Sequence, residues 1–254
     1  MPITYNPCII IPVYNHGKLL EKNIDKIISK KIPLILIDDG SDLETKEILQ
    51  KIKSLNNKII LERLSTNQGK GLAMIHGFKL AYQSGFSHSL QIDADGQHNY
   101  DDIELFLSIA EKFPNSVING MPLYDDSVPK ARLHGRKITN FWVAIETWSN
   151  DIKDAMCGFR VYPVNDVIKI LENNSISKRM SKRMGFDIEI IVRIYWAGIK
   201  IINQPTKVIY PNDGVSHFRM FRDNLSISLL HSRLFFGMLR HFPTLLKHKL
   251  YDPK

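Results

Sequence analysis

Leu90-Gln91-Ile92-Asp93-Ala94-Asp95-Gly96-Gln97-His98 is an apolar, strand-like run that ends in two carboxylates spaced i and i+2, then a glycine, an amide and an imidazole. In an extended segment residues i and i+2 point to the same side. The spacing therefore predicts that Asp93 and Asp95 face one point just past the end of a strand. Two carboxylates held that close repel each other unless a cation lies between them. Hard oxygen ligands of this kind suit Mg²⁺ or Mn²⁺, which keep waters and add phosphate oxygens from a substrate. A solvated Asp-rich turn carries the same letters, so the motif takes its meaning from the chain around it.

That chain is an alternation of buried strands and amphipathic helices. Residues 8–13 form a short, β-branched strand ending in Tyr14-Asn15-His16-Gly17, and a helix pattern follows over about 18–29. Residues 32–37 form a second strand, which ends in Asp38-Asp39-Gly40-Ser41-Asp42. Asp42 is a good N-cap for the next helix, with Glu44 and Glu47 in its first turns. A third strand over about 58–64 leads to Asn67-Gln68-Gly69-Lys70-Gly71, a glycine-rich turn opening a helix over about 71–84. The fourth strand, about 88–92, carries the Asp pair, and a helix over about 101–113 and a strand at 116–121 continue the pattern. This order predicts an α/β fold, a mostly parallel sheet with helices on both faces. Ligands of such sheets bind beyond the carboxyl ends of the strands. The turns at Pro12 to His16, Asp38 to Asp42 and Asp93 to Gln97 therefore meet along one edge.

Past residue 122 the pattern loosens. Leu123 to Pro129 reads as a loop, residues about 132–148 as a helix, and Asp154 to Tyr162 as a turn followed by a strand. Lys178, Arg179, Lys182 and Arg183 fall in a basic loop, before a helix over about 187–197 and a strand near 199–209. We divide the chain into a domain over 1–210 and a basic amphipathic C-terminal segment over 211–254, packed on the domain, at a membrane interface, or both. Residues 222–246 are apolar nearly all round as a helix. Arg222, Arg233 and Arg240 lie within about 20° of one another on it, placed to reach lipid headgroups. A buried helix or a dimer contact gives the same pattern.

The net charge of the 254 residues is +8, with −1 over residues 1–177 and +9 over 178–254. A basic excess confined to the last third points to an anionic partner: phosphates, an anionic membrane surface or nucleic acid. Cys8 and Cys157 are the only cysteines, with no zinc spacing and no disulfide framework, which suits a reducing compartment. The N-terminus lacks a signal-type core, and no run of about 18 apolar residues occurs. We expect a cytoplasmic protein, peripheral on the cytoplasmic face of a membrane.

Taken in order, Ile11-Pro12-Val13-Tyr14-Asn15, Asp38-Asp39-Gly40-Ser41-Asp42, Asn67-Gln68-Gly69-Lys70-Gly71 and Asp93-Ala94-Asp95-Gly96-Gln97-His98 resemble the family 2 glycosyltransferases of GT-A fold. Within them the closest likeness is to the dolichyl- or polyprenyl-phosphate sugar transferases, over about residues 7–210. Asp154, the Cys157 to Arg160 run and the Phe186 to Glu189 stretch resemble further parts of that subgroup's pattern. The resemblance implies a UDP- or GDP-sugar donor and a divalent metal. It implies that Pro12, Tyr14 and Asp39 line the nucleotide pocket with Ile37 and His16, and that Lys70 and Ala94 belong to the same nucleotide-sugar site. His16 stands where the subgroup has Glu. Asp93 and Asp95 would bind the ribose-diphosphate and metal, with Gln97 a third metal ligand.

Two stretches depart from the pattern. Met121-Pro122 replaces an Arg after the fifth strand, and Asp213 to Arg219 replaces a late basic clamp. From charge and position we assign His217, Arg219 and Arg222 to the diphosphate or an anionic acceptor. Candidate catalytic bases are Asp154, Asp187 and Glu189, the last two being equally ordinary first-turn helix residues. Lacking the Gln-x-x-Arg-Trp signature and membrane helices of processive synthases, the chain is expected to transfer a single sugar to a lipid or glycan acceptor. A nucleotidyltransferase on a similar fold is the alternative, but its glycine-rich N-terminal loop with Arg is missing. A non-enzymatic binder of nucleic acid or anionic membrane leaves the acidic turns unexplained, and we expect no nucleic-acid partner.

Overall fold

Ile9 and Ile11 of β1 (Pro7–Val13) pack in one apolar cluster with Leu34 and Leu36 of β2 (Leu34–Asp38). Ile10, Ile35 and Ile37 pack in another, on the opposite face. Alternate residues of a strand point to opposite faces, so a strand covered on both faces is apolar throughout. The computed structural model describes residues 4–125, 128–173, 180–209 and 220–251. On one face lie α1 (Gly17–Ile28), α2 (Leu43–Leu55) and α4 (Ile103–Lys112). On the other lie α3 (Lys70–Gln83), α6 (Val164–Glu172) and α7 (Phe186–Trp196).

β3 (Ile59–Arg63), β4 (His88–Gln91), β5 (Ser116–Tyr124), β6 (Arg160–Pro163) and β7 (Lys200–Val208) complete a seven-stranded sheet of order β3-β2-β1-β4-β6-β5-β7. β1 to β4 pair in parallel, β5 pairs in parallel with β7, and β6 runs antiparallel between β4 and β5. The mostly parallel, helix-flanked sheet is the architecture expected from the sequence. Three features were not. β6 inserts against the direction of its neighbours. α6 follows it directly, where no helix was expected. β5 continues to Tyr124 through residues read as loop, because nine residues pair in register with β7.

After β5, α5 (Lys130–Thr147) leads to the turn before β6, and the C-terminal helix α8 (Met220–Tyr251) packs on α5 and α7. Leu230, Leu234, Met238 and Leu245 form its buried stripe. Leu225, Leu229, Phe236, Leu239 and Leu246 stay exposed on the outer face, Phe236 at 66%. The three-arginine stripe expected on α8 is divided. Arg222 and Arg240 are exposed, whereas Arg233 turns inward to the buried carboxylate of Glu189. No helix among the described residues is long and apolar enough to cross a membrane.

Candidate functional site

Each acidic turn at the sheet edge is tied to the next. After β1, Asn15 takes a positive φ of 55°, and its amide oxygen accepts from the Asp42 N–H at 2.9 Å. After β2, Asp38 accepts from the Ser41 N–H at 2.9 Å and pairs with Arg63. Asp39 is turned the other way. Its carboxylate accepts from the N–H groups of Gln68 and Gly69, at 2.7 and 2.8 Å, and from the Asn67 side chain at 2.9 Å. Burial raises its pKa against the lowering effect of these N–H donors. The glycine turn thus hangs on the Asp39 carboxylate just past β2, with Gly69 at a φ of 100° that other residues rarely adopt.

That turn aims Lys70 into the site. Its ammonium lies 2.7 Å from Asp93 Oδ2 and 2.6 Å from Asp187 Oδ2. Burial alone would lower the lysine pKa, but Asp187 and Asp93 outweigh it and the pKa is raised. Behind this group runs a buried polar row across the sheet. Gln91 of β4 donates to Asp187 Oδ1 at 2.8 Å and accepts from Tyr162 at 3.2 Å. Arg160 of β6 donates to Asn119 of β5 at 2.7 Å and to the Asp187 carbonyl at 3.1 Å. Burial pushes the Tyr162 hydroxyl up to about 12, so it stays a neutral donor to Gln91.

β4 stops at Gln91, so Asp93 and Asp95 sit in a turn, with Gly96 at a φ of 69°, rather than on an extended strand. Asp95 accepts from the Gln97 N–H at 3.1 Å within that turn. Asp93 lies against Gly158, where a Cβ would fall 2.1 Å from its Oδ2.

These groups line one open cleft of about 1680 Å³. Of the predicted nucleotide-sugar residues, Pro12, Tyr14, His16, Asp39, Lys70, Asp93, Ala94 and Asp95 all line it. Gln97 and Asp187 also face it. Ile37 does not, being fully buried in the core below the turn. Asp154 lies behind the lining, its carboxylate accepting from Arg136 at 2.7 and 2.8 Å and from the Met156 N–H at 2.9 Å. Glu189 is wholly buried beneath α8, away from the cleft. His217 and Arg219 lie outside the described residues, as do Lys178 and Arg179.

α5 and α8 also line the cleft, where Ile138, Trp142, Ile227, Phe235 and Phe236 give an apolar arm edged by Thr139, Ser228 and His231. Arg132, Arg136, Arg183 and Arg222 line the same cleft. Arg132 and Arg136 were not singled out from the sequence, although their i, i+4 spacing on a helix gives them a common face. Gln91 stands in the run ahead of the Asp pair but was given no role from the sequence. Gly158 lies in the Cys157 to Arg160 run marked by the resemblance, which gave it no role of its own.

A divalent ion fits the donor set. Among the described residues no group of three or more His, Cys, Asp or Glu side chains forms a metal cluster. The carboxylates of Asp93 and Asp95 with the Gln97 amide nonetheless supply hard oxygens of the type Mg²⁺ and Mn²⁺ take. One Lys70 ammonium also faces two carboxylates, leaving negative charge for a cation to offset.

Residues 8–171 match Glycosyl transferase family 2. The chain is 26% identical over 187 residues to the UDP-N-acetylglucosamine–dolichyl-phosphate N-acetylglucosaminyltransferase of Methanococcus voltae, covering 67% of this chain and 74% of that one. The fold superposes on glucosyl-3-phosphoglycerate synthase of Mycobacterium tuberculosis, solved with Mn²⁺, UDP-glucose and phosphoglyceric acid. The TM-score is 0.65 at 12% identity, over 92% of this chain and 80% of that one. It also superposes on a mannosyltransferase of Pyrobaculum calidifontis solved with GDP-Man and Mn²⁺, at a TM-score of 0.61 and 15% identity, over 98% and 70% of the two chains. The family match spans more than half of the chain and includes the turns at Pro12 to His16, Asp38 to Asp42, Asn67 to Gly71 and Asp93 to Gln97; this protein belongs to glycosyl transferase family 2.

Proposed function

We propose that the protein moves one sugar, with inversion, from a UDP- or GDP-sugar to a lipid-linked phosphate at a membrane surface, using Mg²⁺ or Mn²⁺. The observation that carries this reading is that the Asp93–Lys70–Asp187 group and the apolar arm between α5 and α8 belong to one cleft. The lining of Pro12, Tyr14 and Asp39 takes the nucleotide. Lys70 and the Asp93–Asp95 turn take the diphosphate, and Lys70 stays protonated to face the charge left on it. A divalent ion on Asp93, Asp95 and Gln97 supplies further charge compensation to the departing nucleoside diphosphate. His217 and Arg219 remain candidates for the same anion.

The acceptor class follows from the carboxylates. A hydroxyl acceptor requires a base, whereas a phosphate is already a nucleophile. Asp154 is engaged by Arg136, Asp187 by Lys70 and Gln91, and Glu189 by Arg193 and Arg233. With each candidate base held by a cation, a phosphate acceptor suits the site better, and Arg132 in the cleft lining adds counter-charge. The dolichyl-phosphate acceptor named for the Methanococcus relative agrees with this choice. Titration with UDP and with GDP, each with and without Mn²⁺, tests the donor side. Binding to one nucleotide is expected to require the metal and to be lost in Asp95→Ala. A folded protein that binds neither would refute the reading.

We further propose that residues 211–254 form the membrane-facing segment. The outer stripe of α8 leaves Leu225, Leu229, Leu239 and Leu246 exposed, and Arg222, Arg240 and Lys247 are exposed on the same helix. An apolar stripe accompanied by cations suits an anionic bilayer surface. The protein is expected to co-sediment with vesicles containing anionic lipid and not with neutral ones. The double substitution Leu229→Asp, Phe236→Asp should reduce the bound fraction at least tenfold. Equal sedimentation of that variant would remove α8 from the interface.

A further inference from the structure

Glu189 is wholly buried, and its four contacts come from three separate parts of the chain. Oε1 accepts from Arg193 Nε at 2.9 Å and Nη2 at 2.6 Å, within α7. Oε2 accepts from the backbone N–H of Ser181 at 2.8 Å and from Arg233 of α8. A buried carboxylate requires matched charge and filled lone pairs, and these partners provide both. The tie also fixes residues 180–185 against α7 and α8 together. Gly185 makes a second join to α8, since a Cβ there would meet Leu230 Cδ2 at 2.9 Å.

Residues 180–185 in turn carry the glycine turn. The Gly71 N–H donates to the Lys182 carbonyl at 2.8 Å, and the Leu72 N–H approaches the same oxygen at 3.3 Å. The approach leaves no space for side chains. A Cβ on Gly71 would lie 2.3 Å from the Ser181 carbonyl oxygen, and one on Gly69 would lie 2.5 Å from that of Lys182. The residues on either side of Lys70 are therefore seated on a segment that α8 holds at two points.

We propose that Glu189 is a positioning residue that couples the seating of the C-terminal helix to the placement of Lys70. The proposal rests on the donor-site reading of the Lys70 turn. With Arg233 engaged, the Ser181 N–H is fixed, the Lys182 carbonyl is held against Gly71, and the Lys70 ammonium stays between Asp93 and Asp187. When α8 shifts, Glu189 Oε2 loses its cation, Arg193 is left as the one charged partner, and the hold on the Ser181 N–H under the turn loosens. The helix that walls the apolar arm and the turn that meets the donor diphosphate thus communicate through one buried carboxylate. Linkage makes the effect reciprocal: an occupant of the arm that seats α8 tightens donor binding, and donor binding tightens the seating of α8.

Hydrogen exchange at individual amides, combined with nucleoside-diphosphate titration in Mn²⁺, tests this on the full chain. Arg233→Met is expected to speed exchange at Gly71 and Leu72 about tenfold and to weaken UDP or GDP binding by a similar factor. Arg233→Lys, which keeps the charge, should recover most of both. A purely structural role for the pair would speed exchange along α8 and lower Tm while leaving Gly71 protected, and that result overturns the proposal. If Arg233→Met does not fold, Glu189→Gln gives the same reading, because it keeps the side-chain shape and an acceptor for Ser181 but not the charge. If the wild-type protein binds no nucleoside diphosphate, the donor reading fails, and Gly71 exchange still decides the coupling.

Discussion

Asp93→Asn is expected to lower kcat/KM by about 10²–10³-fold, the range found when one preorganised electrostatic contact to a transition state is lost. The substitution keeps the size of the side chain and removes its charge. Two consequences follow from the geometry. The donor set for a divalent ion drops from two carboxylates to one, and Lys70, now facing only Asp187, is drawn out of the position it holds between two carboxylates. The fold should survive, because Lys70 retains a buried partner and the Asp93 side chain is 21% exposed. Circular dichroism and single-turnover sugar transfer, run side by side, provide the check. An intact variant with wild-type turnover would mean that the acidic turn is not where the leaving group is stabilised.

Gly158→Ala is expected to do comparable damage from a residue with no functional group. An added Cβ would lie 2.1 Å from Asp93 Oδ2 and 2.3 Å from its Cγ. Gly158 is not among the positive-φ glycines, so its backbone accepts alanine and the overlap alone decides the outcome. Either Asp93 swings away or β6 shifts against β4. Overpacking of this kind costs about 1–3 kcal/mol, a tolerable loss for a domain of this size. A displaced Asp93 breaks its contact with Lys70, and we expect turnover to fall about 10²-fold. Metal-dependent nucleotide binding should weaken in parallel. A variant that keeps full nucleotide affinity would show that the contact relaxes without moving the carboxylate.

The two substitutions also separate what was legible in the chain from what was not. Asp93 announces itself: an apolar strand, two carboxylates and a glycine are local facts. So are the strand ends at Val13 and Asp38 and the glycine turn before Lys70. Strand and helix periodicity placed β1 to β5 and α1 to α4 within a few residues, because both patterns are set by neighbours in sequence. The approach of β6 was not legible. Its partners are Gln91, some 70 residues earlier, and Asn119, and nothing near Arg160 records which strands it will meet or in which direction. The same limit hid the Arg136–Asp154 pair, which joins α5 to the turn before β6.

Charge and periodicity alone also misread single side chains whose surroundings come from elsewhere. Arg233 shares a helical stripe with Arg222 and Arg240, yet the buried carboxylate of α7 takes it inward. Asp187 and Glu189 share the first turn of one helix, yet one faces the cleft and the other lies under α8. The sequence by itself determined that this is an α/β chain whose acidic turns gather at the carboxyl edge of a parallel sheet, because strand order and strand-end chemistry are written locally. Only the tertiary structure decided which carboxylates face Lys70, which are held by arginines, and that a glycine in the turn before an antiparallel strand seats Asp93. Those outcomes depend on contacts between segments far apart in the chain, and such contacts exist only once the sheet has closed around them.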